Sequence, residues 1–150
     1  IKGIVLSLIG DGPERNNLEL LAKSKEVEIE FLGRLPHEHL PKALNSAQYF
    51  VFPSLYEGNP KALLEAMSCG LPVITTPVYG IKNIITHGIN GYLCKDTNVD
   101  SISESILKVM EDNELSKFIS KNARQTIIEN YSLDSVLKKE IEIYKELGIS

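Results

Sequence analysis

The segment Glu57–Met67 has the sequence EGNPKALLEAM. It places two carboxylates, those of Glu57 and Glu65, on either side of the junction between a loop and a helix. Asn59 is a residue type that favours helix N-caps, and Pro60 suits the first helical position, where a missing N–H costs nothing. We therefore predict that a helix begins at Pro60, and that its free N–H groups and positive dipole end attract anions. Two carboxylates beside such a helix end suit a ligand that carries both phosphate and hydroxyl groups.

The rest of the chain alternates strands and helices. Apolar, β-branched runs predict strands at Ile4–Ile9, Val27–Leu32, Tyr49–Phe52, Pro72–Thr75 and Gly91–Cys94. Helical periodicity predicts a helix that Pro13 opens, followed by His37–Asn45, Pro60–Cys69, Val99–Asp112, Leu115–Asn130 and Ser135–Leu147. This order favours an α/β fold, a doubly wound parallel sheet with C-terminal helices. The first strand is nearly all apolar, so we expect it to be covered on both faces.

Ligands of such sheets bind beyond the carboxyl ends of the strands. The loops after Ile9, Leu32, Phe52 and Thr75 hold most of the Gly and Pro residues, and we expect them to open on that edge. The carboxylate pair and the strand order therefore point to one face of the molecule.

Composition limits the function classes. The chain has 150 residues, of which 43% are hydrophobic and 24% are charged, as in an ordinary soluble globular domain. Its net charge is -4, without a basic cluster, which argues against nucleic acid as a partner. Cys69 and Cys94 suit reduced thiols in the cytoplasm, and no apolar run reaches membrane-spanning length. The chain starts at Ile1, without an initiator Met, so we expect it to be a piece of a longer protein.

Several further motifs accompany the carboxylate pair in order along the chain. They are GDGPE at Gly10–Glu14, FLG at Phe31–Gly33, PVI at Pro72–Ile74 and NGYL at Asn90–Leu93. With EGNPKALLEAM they resemble the G-x-G-P, F-x-G, E-x7-E and N-G-x-L signatures of group 1, or family 4, retaining glycosyltransferases. The resemblance implies the two-domain GT-B fold. Residues 1–150 resemble most of its C-terminal, nucleotide-sugar-binding domain, without the first strand of that domain and without the N-terminal acceptor domain.

The resemblance implies a role for each carboxylate. Glu65 would accept hydrogen bonds from the ribose hydroxyls of the donor nucleotide. Glu57 would be catalytic: it would hold a hydroxyl of the transferred sugar and stabilise positive charge that develops near the anomeric carbon.

The resemblance also implies a wider donor site. Its other residues would be Gly58, Asn59, Pro60, Lys61, Gly10, Gly12, Arg34 and Leu35. Backbone N–H groups from Gly58 to Lys61 would hold the sugar and the distal phosphate. The turn of Gly10 and Gly12 would approach the diphosphate, and Arg34 and Leu35 would border the base. The donor would be a UDP-, GDP- or ADP-linked sugar, with neither a cofactor nor a metal ion.

The acceptor would be a sugar or a lipid-linked molecule that the N-terminal domain binds, as in the synthesis of a polysaccharide or glycolipid. The enzyme would be cytoplasmic, either free or peripheral to the inner face of the membrane.

Two departures from the family pattern affect these expectations. Members usually carry an Arg and a Lys upstream that neutralise the diphosphate, and no such segment precedes Ile1. Asn83 also lies where a Glu is common. We therefore expect the isolated chain to bind its donor weakly and to be inactive. The apolar stripe of the last helix, which includes Ile141 and Tyr144, would brace the N-terminal domain, and in isolation it would favour weak self-association.

Other interpretations remain open at the level of the residues. Glu57 and Glu65 could be ordinary surface charges, and Lys61 could be solvated. Gly10–Gly12 could be a plain turn in which Asp11 caps the next helix, since Arg15 stands where a third Gly would complete a dinucleotide-binding motif. The stripe on the last helix could pack in the core. At the level of function, the alternatives are a non-catalytic sugar-nucleotide-binding module, a GT-B epimerase or phosphorylase, and a flavodoxin-like domain.

Overall fold

The computed structural model describes residues 3–148, which form two compact units divided between Lys42 and Ala43. The first unit contains β1 (Val5–Ile9), α1 (Arg15–Ser24), β2 (Glu28–Gly33) and a single turn of 3-10 helix (His37–His39). The strands β1 and β2 are parallel, with Val5 opposite Glu28, and the register shifts between Leu8 and Ile9. Helix α2 (Leu40–Ser46) follows.

The predicted burial of the first strand is wrong. Val5 is 51% exposed and Leu6 is 42% exposed. Within residues 3–148, β1 forms strand pairs with β2 alone, and α1 packs against β2. On α1, Leu18 and Leu21 are exposed as well, since they keep 39% and 53% of their surface. An all-apolar strand therefore does not by itself establish that both of its faces are covered.

The second unit carries the larger sheet and most of the helices. Its elements are β3 (Phe50–Phe52), α3 (Lys61–Ser68), β4 (Val73–Thr75), α4 (Tyr79–Lys82), β5 (Tyr92–Leu93), α5 (Val99–Glu111), α6 (Asn113–Asn130) and α7 (Leu133–Glu146). The strands are all parallel, in the order β3-β4-β5. This confirms the predicted α/β class, with parallel strands and C-terminal helices. Within each unit, the loops that follow the parallel strands open on one edge, as expected.

The core of the second unit lies on both sides of β4. On one side, Ile74 packs with Cys94 of the loop after β5 and with Val109 of α5, and all three are buried. On the other side, α3 packs against α6. The apolar face of α3 is completely buried, with Leu63, Ala66 and Met67 at 0% exposure. The spacing of these residues is the helical one that the sequence predicts.

The C-terminal helix α7 differs from the rest of the second unit. No residue of α7 is buried, and Ile141 and Tyr144 keep 52% and 51% of their surface. The interpretation that its apolar stripe packs in the core is therefore wrong within residues 3–148. No helix in this part of the chain is long and apolar enough to span a membrane.

Replacing Leu63 by Ala should lower the free energy of unfolding by about 2–5 kcal/mol, because a buried leucine leaves a cavity that its neighbours refill only in part. The matched control is Leu20→Ala on α1, where the side chain is 68% exposed. It should change stability by no more than about 0.5 kcal/mol. Urea unfolding followed by circular dichroism measures both, and equal losses would contradict the assignment of α3 to the core.

Candidate functional site

The loop between β3 and α3 carries the first predicted carboxylate and is anchored to the neighbouring strand β4. Phe52, which ends β3, lies opposite Thr75. The Thr75 hydroxyl donates to the carbonyl oxygen of Phe52 at 2.8 Å. The next hydroxyl, that of Thr76, donates to the carbonyl oxygen of Ser54. Both threonines are at most 1% exposed, so these bonds are shielded from water and hold the first residues of the loop in place.

Glu57 is half-buried at the middle of this loop. The Ser54 hydroxyl donates to Oε1 of Glu57 at 3.0 Å and also lies 2.9 Å from the carbonyl oxygen of Tyr56. The carboxylate therefore does not extend freely into solvent, as an ordinary surface charge would. The hydrogen bond from Ser54, a residue of the same loop, gives the carboxylate a defined direction.

The backbone of Glu57 is in close contact with Gly80 in α4, an element that the sequence analysis missed. A Cβ atom added to Gly80 would lie 2.3 Å from the Glu57 carbonyl oxygen and 2.9 Å from its carbonyl carbon. Gly80 is buried and has no positive φ angle, so the glycine is needed for space and not for conformation. Only a residue without a side chain fits against the loop at this position.

The start of α3 differs from the prediction by one residue. Pro60 is the N-cap and not the first helical residue, with φ −79° and ψ 71°, and no side chain caps the helix. The Lys61 amide donates to the carbonyl oxygen of Asn59 at 2.9 Å, which closes an inverse γ-turn around Pro60. The proposed N-cap role of Asn59 is therefore wrong, because this tight turn orders the chain before the helix begins.

The turn also changes which amides are available to a ligand. Pro60 has no N–H, and that of Lys61 is already bonded. Among residues 3–148, the amides without an acceptor at this helix end are those of Gly58, Asn59, Ala62 and Leu63. The side chain of Lys61 is exposed. Glu65, the second predicted carboxylate, is half-buried on the next turn of α3.

The remaining candidate residues lie at one edge of the sheet in the first unit. The Gly10 amide donates to the carbonyl oxygen of Gly33 at 2.7 Å, which joins the ends of β1 and β2. Gly10 has φ +129°, a conformation that a residue with a side chain rarely adopts. The space around Gly12 is open, since a Cβ atom there would meet no other atom within 4 Å. Arg34 is exposed and Leu35 is half-buried, immediately after β2.

Asp11 has a role that differs from the plain-turn interpretation. Its carboxylate accepts from the Gly12 amide at 3.0 Å, and α1 begins further along with Glu14 as its N-cap. The Glu14 side chain accepts from the side-chain amide of Asn17 and caps no backbone amide of the helix. Asp11 therefore shapes the glycine turn and does not cap the helix.

Asn83 is exposed and ends α4 as its C-cap. It also lines an open cleft of about 580 Å³ in the second unit, with Asn90, Gln125 and Tyr131. None of the residues that line this cleft belongs to the predicted donor site. The cleft and the predicted carboxylate loop are therefore different surfaces of the second unit.

The chain is similar to known proteins along most of its length. Residues 1–126 match the family model described as glycosyl transferases group 1. An uncharacterized glycosyltransferase of Methanocaldococcus jannaschii is 35% identical over 142 residues, which are 93% of this chain and 36% of that protein. The N-acetyl-alpha-D-glucosaminyl L-malate synthase of Bacillus anthracis is 31% identical over 144 residues, which are 95% of this chain and 37% of the relative.

A solved structure extends the likeness to three dimensions. It is that of a variant of S. aureus TarM in complex with fondaparinux, alpha-GlcNAc-glycerol and UDP, with a TM-score of 0.81 and 26% identity. The match covers 94% of this chain and 29% of TarM. This chain spans little more than a third of the length of each of the two curated relatives, those from M. jannaschii and B. anthracis.

Replacing Asn59 by Ala should change the free energy of unfolding by no more than about 0.5 kcal/mol, because its side chain caps nothing. The matched variant is Asn98→Ala, since Asn98 is the N-cap of α5 and its Oδ1 accepts from the Ser101 amide at 2.9 Å. Loss of that cap should cost about 1 kcal/mol. Chemical unfolding of both variants tests the assignment, and a larger cost at Asn59 than at Asn98 would contradict it.

Proposed function

Because the chain belongs to the glycosyl transferases group 1 family, we propose that it is the donor-binding domain of a retaining glycosyltransferase. The enzyme would transfer a sugar from a nucleotide-sugar to a polysaccharide or glycolipid acceptor, which a separate N-terminal domain would bind. One observation carries this proposal. The half-buried carboxylate of Glu57 is held by Ser54 next to the amides of Gly58 and Asn59, which have no acceptor among the described residues 3–148. A fixed negative charge beside fixed donors suits a ligand that has a sugar next to a phosphate.

The structure suggests how the helix end would receive the distal phosphate. The amides of Gly58, Asn59, Ala62 and Leu63 have no acceptor among residues 3–148, and they lie at the positive end of α3. Pro60 would contribute through the turn that it centres, and Lys61 through its exposed ammonium group. This refines the sequence-based proposal, in which the amides from Gly58 to Lys61 hold the phosphate and the sugar.

The two carboxylates would have different tasks. Glu65 would accept hydrogen bonds from the ribose hydroxyls of the donor, an interaction that persists throughout the reaction. Glu57 would bind a hydroxyl of the transferred sugar and oppose the positive charge that grows near the anomeric carbon as the glycosidic bond breaks. Interactions that strengthen in the transition state raise the turnover rate.

Retention of configuration would follow from the side of attack. The acceptor hydroxyl would approach on the face that the leaving diphosphate occupies, and a diphosphate oxygen would take its proton. The protein would supply position and charge, without a strong base of its own. We propose no cofactor and no metal ion for this step, because the helix end and basic side chains can neutralise the phosphates.

The family resemblance also assigns donor-binding roles to residues of the first unit. Gly10 and Gly12 would approach the diphosphate, and the exposed Arg34 with Leu35 would border the base. The UDP in the TarM complex supports a nucleoside diphosphate as the common part of the donor. UDP-, GDP- and ADP-sugars remain the candidates. We place the enzyme in the cytoplasm or at the inner face of the membrane.

The exposed stripe of α7 fits an interface with the rest of a longer enzyme. Leu137, Ile141 and Tyr144 are all between 44% and 52% exposed on one helix. We propose that this stripe braces the N-terminal domain, and that in the isolated chain it promotes weak self-association.

In the complete enzyme, Glu65→Gln should weaken donor binding by about 1.5–3 kcal/mol for each charged hydrogen bond that is lost. Glu57→Gln should instead lower kcat, with a smaller effect on donor affinity, because its charge matters most in the transition state. Calorimetry with the nucleotide-sugar measures affinity, and initial rates measure kcat. Glu104→Gln, an exposed carboxylate on α5, is the control and should be unchanged. Wild-type kinetics in both site variants would remove the assignment.

Chain 1–150 alone should bind nucleotide-sugars more weakly than micromolar and should transfer no sugar. Residues 1–150 do not include the Arg and Lys pair that family members usually carry to oppose the diphosphate charge, and phosphate recognition depends strongly on such partners. Titration calorimetry with UDP-, GDP- and ADP-glucose measures the affinity. Addition of the upstream segment should tighten binding, whereas micromolar affinity of the isolated chain would contradict the proposal. Tight binding in a complete protein that shows no transfer would instead indicate a sugar-nucleotide-binding module.

A further inference from the structure

We propose that Ser54 and Gly80 are positioning residues that hold the Glu57 carboxylate in the direction that sugar transfer requires. The inference rests on the proposed function, because it concerns how Glu57 acts in that reaction. Neither residue would need to touch the substrate. Ser54 would act on the side chain of Glu57, and Gly80 would act on its backbone.

Ser54 is well placed to direct the carboxylate because its own backbone is fixed. Its carbonyl oxygen accepts from the hydroxyl of Thr76, which is 0% exposed. Its hydroxyl lies 3.0 Å from Oε1 of Glu57 and 2.9 Å from the carbonyl oxygen of Tyr56. A serine hydroxyl has one proton, so it can donate fully to only one of these oxygens. Hydrogen bonds to an ionised carboxylate are the stronger, which favours Glu57 as the acceptor.

Gly80 restricts the backbone of Glu57. The Glu57 carbonyl group lies so close to Gly80 that an added Cβ atom would be 2.3 Å from its oxygen. It would also lie 3.3 Å from the Gly58 carbonyl oxygen, so a methyl group would push two successive peptide groups of the loop. The obstacle is backbone and not a flexible side chain, so the loop itself would have to move.

Together the two contacts hold Glu57 from its backbone to its carboxylate. A misplacement of about 1 Å in a catalytic group can cost about 100-fold in rate. Loss of the Ser54 hydroxyl should therefore lower kcat while the donor, held mainly elsewhere, still binds. A contact that served stability alone would not produce this separation of kcat from KM. A side chain at Gly80 would also shift the peptide groups that carry the amides of Gly58 and Asn59, so it should lower kcat and raise KM for the donor.

The first test uses the hydroxyl of Ser54 in the complete enzyme. Ser54→Ala should lower kcat by about 10- to 100-fold, with KM for the donor changed by no more than about two-fold. Ser54→Thr keeps a hydroxyl and should recover most of the rate. The matched control is Ser46→Ala, which removes an exposed hydroxyl that bonds to the Ala43 carbonyl oxygen at 2.7 Å. It should behave as wild type.

The second test uses the space at Gly80. Gly80→Ala should lower kcat and raise KM for the donor, whatever its effect on the melting temperature. Gly91→Ala is the matched control for crowding, because its Cβ atom would meet Ile85 and Val73 side chains at 2.8 and 2.9 Å and would not meet Glu57. It should lower the melting temperature but leave kcat of the folded enzyme near the wild-type value. An equal loss of kcat in both glycine variants would overturn the role of Gly80.

The single variants separate this inference from the proposed function. If Glu57→Gln alone keeps full kcat, the proposed role of Glu57 fails, and the positioning role fails with it. If Glu57→Gln is slow but Ser54→Ala and Gly80→Ala are both as fast as wild type, only the positioning role is overturned.

A double variant tests whether Ser54 acts through Glu57. If it does, adding Ser54→Ala to Glu57→Gln should cause no further loss of kcat. A further 10-fold loss in the double variant would show an independent role and overturn the inference for Ser54.

Discussion

The parallel pairing of β3 with β4 is the constraint on which the candidate site depends. It places Phe52 opposite Thr75, so that the chain leaves both strands at the same edge of the sheet. Two successive threonine hydroxyls then bond to carbonyl oxygens of the segment that leaves β3. Because these hydroxyls are buried, their loss would leave unpaired polar groups inside the protein, which costs more than an exposed hydrogen bond contributes. The start of the loop that carries Glu57 is therefore held in place by hydrogen bonds to the end of β4 and to the residue after it.

The rest of the second unit keeps this edge in place. Helix α3 buries one complete face against its neighbours and packs against α6. A hydrogen bond just after α3 adds to its packing against α6: the Ser120 hydroxyl of α6 donates to the Gly70 carbonyl oxygen at 2.6 Å. A helix held along its whole length presents its first turn in a fixed direction. The amides at that end that have no acceptor within residues 3–148 are consequently preorganised donors, which need no rearrangement when an anion binds.

The site combines rigid support with surface exposure. Its buried members, Thr76 and Gly80, have no access to a ligand, whereas Gly58, Asn59 and Lys61 are exposed. Tyr56 and Tyr79, which flank Glu57 and Gly80 in sequence, are 85% and 83% exposed. The exposed residues are thus accessible to a ligand, while the buried ones fix the loop that carries them.

The sequence alone determined the α/β class, the alternation of strands and helices apart from α4, and the loop and helix that carry Glu57 and Glu65. These depend on local periodicity and on residue types at fixed spacings. Only the tertiary structure decided which groups meet across the chain. The contact of Gly80 with Glu57 joins residues far apart in sequence, and no periodicity records it. The γ-turn at Pro60 likewise depends on how the loop is held, so the preference of Asn59 for N-caps was overridden. The exposure of β1 was also decided by the tertiary structure, since burial of a strand depends on what packs on it and not on its own residues.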